Sequence, residues 1–385
     1  MVAGRVRGLD GLRGIAILLV VWYHTLGTFQ VHGLPVGSHY AGAVGVMIFF
    51  VLSGFLITTT LLREHAATRR LDLKAFYVRR ALRLLPALLV AVAVTTTVMW
   101  LTRDPQLNLT YLGELLIVLT YTMDFFSAQS GGYILFGHTW SLAVEEQFYI
   151  IWPLLLLGCL RFARIPRTLV IAVGALTGLA IIWRIVASVS FVDWQRTYFA
   201  PDTVFFALLL GCLLAVVQQH RALRVPGWVA YVGLAALLAI VAVPVTPGSD
   251  SNWPILLWGG LLTALIVLPV VAAAPRAKAL AWRPLVLIGE LSYGWYLWHA
   301  ILLQLHPFGL DLRSSPTTAV AAAIFSLGIA WVSFRYVEKP ALAYKKRFER
   351  TAPLGVGQAQ PGWSGSVSPT AGGSGQLDVG IPVER

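Results

Sequence analysis

The chain has 385 residues, 57% of them hydrophobic and 12% charged, with a formal net charge of +12. A mean hydropathy of +0.74 excludes an ordinary soluble domain of this length. The positive balance is not read as a nucleic-acid surface, because the basic residues sit in short loops between apolar runs, the pattern of a protein that keeps positive charge on the cytoplasmic side of a membrane.

Ten apolar runs follow in chain order, at 12–31, 42–62, 84–102, 139–158, 168–190, 203–219, 227–246, 254–274, 285–305 and 317–337. Each is of a length that crosses a bilayer as a helix, and none alternates polar and apolar residues as a lipid-facing strand would. The first run is full-length and lacks a small-residue cleavage site, so it is expected to remain as the first span. An eleventh run, LTYLGELLIVLTYTMDFF at 109–126, is short and carries Glu114 and Asp124. The basic loops decide its nature. The N-terminus (Arg5, Arg7), the loop 63–83, the loops near Arg161, Arg221 and Arg276, and the tail at Lys345 all fall on one side only if 109–126 does not cross. The expected fold is therefore an all-α polytopic membrane bundle of about ten transmembrane helices plus one re-entrant or non-crossing segment, with both termini cytoplasmic. The membrane domain is expected over 1–350. The Gly/Ser/Pro-rich, nearly uncharged stretch 351–385 reads as a disordered cytoplasmic tail. The two cysteines, Cys159 and Cys212, are too few for a disulfide framework or a metal site.

Ionisable groups inside a membrane are costly, and each is a functional candidate. In RGIAILLVVWYH, residues 13–24, an arginine and a histidine bracket an apolar run. Eleven residues at about 100° each end roughly 20° past three turns, so Arg13 and His24 share one stripe, about 16 Å apart. Arginine suits phosphate or carboxylate, and histidine suits proton transfer. The pair fits a long ligand with an anionic head at Arg13 and a reactive end at His24. It also fits a snorkelling arginine and a histidine satisfied in the core. In the second run, Gly42, Gly45 and Gly54 permit close helix approach, and Ser53 adds a hydroxyl. FYVRRALRLLP, 76–86, places Arg79 and Arg83 on one face, with Arg80 and Arg83 also neighbours: a membrane anchor, or a phosphate clamp for a nucleotide-bearing donor.

HTWSLAVEEQFYIIWP, 138–153, carries Glu145 and Glu146 about two turns into a span. Adjacent residues diverge by about 100°, so they do not form a carboxylate pair, and one is left to face the interior and pair with a histidine or arginine. Ser141, Glu145 and Tyr149 line one stripe. GELSYGWYLWHAILL, 289–303, aligns Ser292, Tyr296 and His299 on one face. The remaining histidines, His138 among them, are scattered near span ends without metal spacing. GxSxG, HExxH, CxxC and Walker motifs are absent.

The segments LDGLRGIAILLVVWYH, GVMIFFVLSGFLIT, FYVRRALRLLPA, HTWSLAVEEQFYIIWPLL, LSYGWYLWH and RYVEKPA, in this order, resemble the acyltransferase-3 family of integral-membrane O-acyltransferases over residues 7–345. The resemblance implies a ten-span enzyme of the cell membrane. It would move an acyl group from cytoplasmic acyl-CoA, a co-substrate and not a permanently bound cofactor, to a hydroxyl of a glycan, glycolipid or natural product. It implies Arg13 and His24 as the functional pair, Arg79, Arg80 and Arg83 as donor-binding arginines, and Ser53, Glu145 and Glu146 as the matched SGF and WSLxxEE positions. His24 would be general base or transient acyl carrier, with Glu145 behind it. Ser53, Glu146, Tyr149, Ser292, Tyr296 and His299 are expected to contact substrate, and no metal is expected. Two positions depart from the family pattern. Met47 stands where many members have Asp, and Ala300-Ile301 follow His299 where many have x-Pro. No SGNH-type domain is seen, so the membrane domain is expected to complete transfer alone or hand over to another protein. The alternative function on the same residues is a proton-coupled transporter or acyl-lipid flippase; a degenerate structural subunit is a third.

Overall fold

Within lipid the backbone finds no water to bond, so apolar runs of this length fold as helices. A computed structural model of the chain describes residues 6–27, 30–31, 34–35, 39–102, 109–130, 135–162, 166–190, 194–221, 223–242, 253–305 and 311–345. The 351–385 stretch lies outside them. Each of the ten predicted runs contains a helix: α1 (Arg7–Leu26), α2 (His39–Thr68), α3 (Leu73–Thr102), α6 (Trp140–Phe162), α7 (Pro166–Ser190), α9 (Pro201–His220), α10 (Trp228–Val241), α11 (Trp253–Ala273), α12 (Arg283–Gln304) and α13 (Pro316–Ser333). Shorter helices α4 (Leu109–Leu119), α5 (Met123–Ser130), α8 (Trp194–Phe199) and α14 (Lys339–Lys345) complete the set, with a two-residue antiparallel pairing of Gln30–Val31 on Leu34–Pro35. Among the described residues seven helices are long and apolar enough to cross a membrane. Helices α2 and α3, at 30 residues each, are about 45 Å long and overrun a hydrocarbon core of about 30 Å. They carry the intervening basic turn beyond the predicted spans.

The run 109–126 breaks into two pieces. The 11 residues of α4 reach only about 16 Å, and Tyr121, at φ 53°, turns the chain into α5. Its two carboxylates are structural. Glu114 accepts a bond from the Phe136 amide, just before a 3₁₀ turn at Gly137–Thr139, and Asp124 accepts one from the Gln147 side chain.

Two backbone-to-backbone approaches organise the bundle. Helix α2 crosses α9 where a Cβ on Gly54 would lie 1.9 Å from the Leu208 carbonyl oxygen. Helix α1 crosses α12 where a Cβ on Gly289 would lie 1.9 Å from the Asp10 carbonyl oxygen, and one on Gly14 would lie 2.3 Å from that of Leu285. In lipid such approaches supply packing that hydrophobicity alone does not. Around them α1 also packs on α2, α7 on α9, and α12 on α13. Met47 is buried in the apolar core of α2 and lines neither cavity described below.

Gly289→Ala is expected to lower the thermal midpoint of the detergent-purified protein and its yield. Gly328→Ala, on α13 with nothing within 4 Å of the added methyl, should leave both unchanged or slightly raised. Thermal scans of the two variants check this.

Candidate active site

The α1–α12 crossing brings two pairs together. Arg13 Nη2 donates to Ser292 Oγ at 3.2 Å, and three turns further along α1 the His24 ring meets His299. Between these contacts the interior holds two cavities. The first, about 200 Å³, is lined by Arg13, Ser53, Arg79, Arg80, Arg83, Ser141, Glu145, Tyr149, Ser292, Tyr293 and Tyr296. It unites α1, α2, α3, α6 and α12, and it collects most of the site residues expected from sequence. The second, about 420 Å³, is lined by His24, His138, Ser127, Gln195, Gln304 and Arg313, and by the rings of Tyr23, Trp140, Trp194, Tyr198 and Phe199. Tyr296 lines both. Its hydroxyl is 2.8 Å from Ser141 Oγ and donates to the His138 carbonyl. Arg13 and His24 therefore share a helical stripe but not a cavity: the single track expected from their spacing is divided by Tyr296.

In the first cavity the arginines differ in what their charges meet. Arg80 Nε and Nη2 donate to Glu146 Oε1 at 2.9 and 2.6 Å, Glu145 Oε2 is 3.7 Å away, and the guanidinium stacks 3.4 Å from the Tyr149 ring centre. Two carboxylates and an aromatic face hold a charge that lipid would otherwise penalise. Arg79 pairs with Glu64 at 3.4 Å. Arg83 makes no ion pair within 4 Å with a described carboxylate. Of the three arginines expected to clamp the donor, Arg79 and Arg80 thus pair with protein carboxylates, and all three line the cavity. Glu146, expected to contact substrate, is instead the partner of Arg80 and does not line the cavity.

Glu145 does not stand behind His24. Its Oε1 accepts from Ser53 Oγ at 2.8 Å in the first cavity. The group behind His24 is His299. His24 Nδ1 lies 2.9 Å from the Val20 carbonyl, four residues back on its own helix, and 3.3 Å from His299 Nε2. His299 Nδ1 lies 2.9 Å from the Trp295 carbonyl. Carbonyls accept, so this network assigns the proton to Nδ1 of each ring. The Nε2 lone pair of His299 then faces the N–H of His24, and Nε2 of His24 is left basic. His299, expected to touch substrate, is fully buried and lines neither cavity. His138, set aside in the sequence as a span-end histidine, sits 5.7 Å from His299 ring to ring and lines the second cavity. The available signal was its place at the head of HTWSL, ahead of Ser141. The aromatic wall from α8 carried no signal of its own.

Glu146→Ala would leave the Arg80 guanidinium short of its closest partner. A stability loss on the order of 3 kcal/mol is expected, larger than for Glu146→Gln. Denaturation of both variants in detergent checks it.

Comparison with known proteins places this architecture. Residues 6–335 match the family model described as an acyltransferase domain, Acyl_transf_3. The chain is 33% identical over 354 residues to the peptidoglycan O-acetyltransferase OatA of Listeria monocytogenes, covering 87% of this chain and 55% of that one. It is 32% identical over 367 residues to the putative peptidoglycan O-acetyltransferase YrhL of Bacillus subtilis, covering 87% and 54%. It is 30% identical over 369 residues to the O-acetyltransferase OatA of Staphylococcus aureus, covering 90% and 58%. The chain thus spans little more than half the length of these relatives. No solved structure matches it. Helical bundle, membrane character and a match over nearly all the described residues agree that the chain belongs to the acyltransferase-3 family of membrane O-acyltransferases.

Proposed function

We propose that this O-acyltransferase takes its acyl group from acyl-CoA bound in the arginine-lined cavity and delivers it to a glycan hydroxyl in the histidine-lined cavity. The observation that carries this reading is the division of labour between two adjoining cavities. One gathers guanidinium groups suited to phosphates; the other gathers a basic imidazole and an aromatic wall suited to a sugar face. The arginine-bearing loops support a cytoplasmic position for the first cavity, where acyl-CoA is found, and cytoplasmic termini. Relatives named for peptidoglycan O-acetylation support an acetyl group and a cell-wall glycan as acceptor.

In this mechanism the donor's phosphates meet Arg83 and Arg13, and its thioester reaches His24 once Tyr296 yields. His24 Nε2 takes the proton of the acceptor hydroxyl as its oxygen attacks the thioester carbonyl. The C–S bond breaks, and the thiolate leaves with the proton that the imidazolium returns. His299, with its lone pair toward His24 Nδ1–H, holds the ring's orientation and shares its positive charge, the part a carboxylate plays in a serine-protease triad. Ser141 and Tyr296 bound the passage between the cavities.

His24→Ala is expected to lower acyl transfer by at least about 100-fold with thermal midpoint unchanged. Arg13→Ala should act mainly on donor affinity. Transfer of radiolabelled acetyl from acetyl-CoA in membranes expressing each variant tests both; residual transfer near wild type in His24→Ala would reject the proposed base.

A further inference from the structure

The RYVEKPA segment has so far no part in the site, yet its geometry points into it. Residues Phe334–Glu338 form one turn of π-helix between α13 and α14. Pro340 explains the widened turn: it has no N–H to offer, and its ring crowds the carbonyl of Tyr336 four residues back. Such turns are often found at functional sites. Here the turn packs on α3 and brings Glu338 inward, 5% exposed, with Oε1 making no hydrogen bond. Helix α12 is notched to receive it. A Cβ on Gly294 would lie 2.8 Å from that oxygen. The adjacent Tyr293 lines the first cavity and donates to the carbonyl of Leu84, the neighbour of Arg83.

The groups facing Arg83 are Arg13 and Arg80, of like charge, with Tyr149, Glu145 and Glu338. Arg79 is paired with Glu64 of α2 and Arg80 with Glu146 of α6, both within 4 Å. Arg83 has no such ion pair with a described carboxylate; Glu145 of α6 and Glu338 of the π-turn are the carboxylates that act on it, and neither takes its donors.

We infer that Glu338 is a positioning residue for the donor site: from the π-turn it holds Arg83 at the cavity against the repulsion of Arg13 and Arg80, without occupying the fork that takes the donor's phosphate. This rests on the reading of the first cavity as the acyl-CoA site.

The test is a double-mutant cycle read as the dissociation constant of coenzyme A for the purified full-length protein in detergent. Glu338→Gln and Arg83→Gln are each expected to weaken binding about tenfold, and the double variant no further than Arg83→Gln alone. Unchanged binding in Glu338→Gln, or two effects that multiply in the double variant, would overturn the inference. Unchanged binding in Arg83→Gln would instead overturn the donor reading, and the role of Glu338 with it. Should Glu338→Gln fail to accumulate, Gly294→Ala, which presses on the same carboxylate, replaces it in the cycle, and the same results support or overturn the inference.

Discussion

The site depends on how closely α1 and α12 approach. At Gly289 the two backbones come within a distance that no side chain permits, and at Gly14 nearly so. That crossing fixes the register of one helix on the other. Beside it Arg13 reaches Ser292, and further along both helices His24 reaches His299. Helix α12 also supplies Tyr296, which lines both cavities, and the notch at Gly294. A shift of one turn along this seam, about 5.4 Å, would separate both pairs at once. Small residues give membrane helices their tightest packing, and here that packing does chemical work by setting distances between ionisable groups.

The second constraint is charge in a medium that does not solvate it. Arg80 is surrounded by Glu146, Glu145 and the Tyr149 ring, and Arg79 is tied to Glu64. These pairs draw α2, α3 and α6 together around the first cavity. In the proposed mechanism the contrast between the carboxylate-paired Arg79 and Arg80 and the cavity-facing Arg83 is the functional point. Paired arginines build the wall, and Arg83 meets the donor.

Much of this was legible in the sequence because periodicity and charge act locally. Each of the ten apolar runs contains a helix, seven of them long and apolar enough to cross a membrane among the described residues, and 109–126 lacks a helix of crossing length. The residues of the first cavity come from stripes readable at i, i+4: Ser141, Glu145 and Tyr149 on α6, Ser292 and Tyr296 on α12. What was not legible is which stripes meet. Glu145 is the obvious carboxylate for His24, but the bundle turns it toward Ser53 and puts His299 in its place. Arg13 and His24 share a stripe, yet a ring from another helix divides the path between them. His138 and the wall of α8 enter the second cavity through tertiary packing alone. RYVEKPA carried only the resemblance, and nothing local in it showed that Glu338 would lie against Gly294.

The central claim is that a donor held at Arg13 and Arg83 presents its thioester to His24 past Tyr296. The most direct measurement is a cryo-electron-microscopy structure of the protein with a non-hydrolysable acetyl-CoA thioether. The account predicts phosphates at Arg83 and Arg13, the Tyr296 hydroxyl withdrawn from Ser141, and the acetyl-bearing sulfur within contact distance of the His24 ring. A ligand seated elsewhere, or one that ends in the arginine-lined cavity with the Tyr296 barrier closed under turnover conditions, would contradict it.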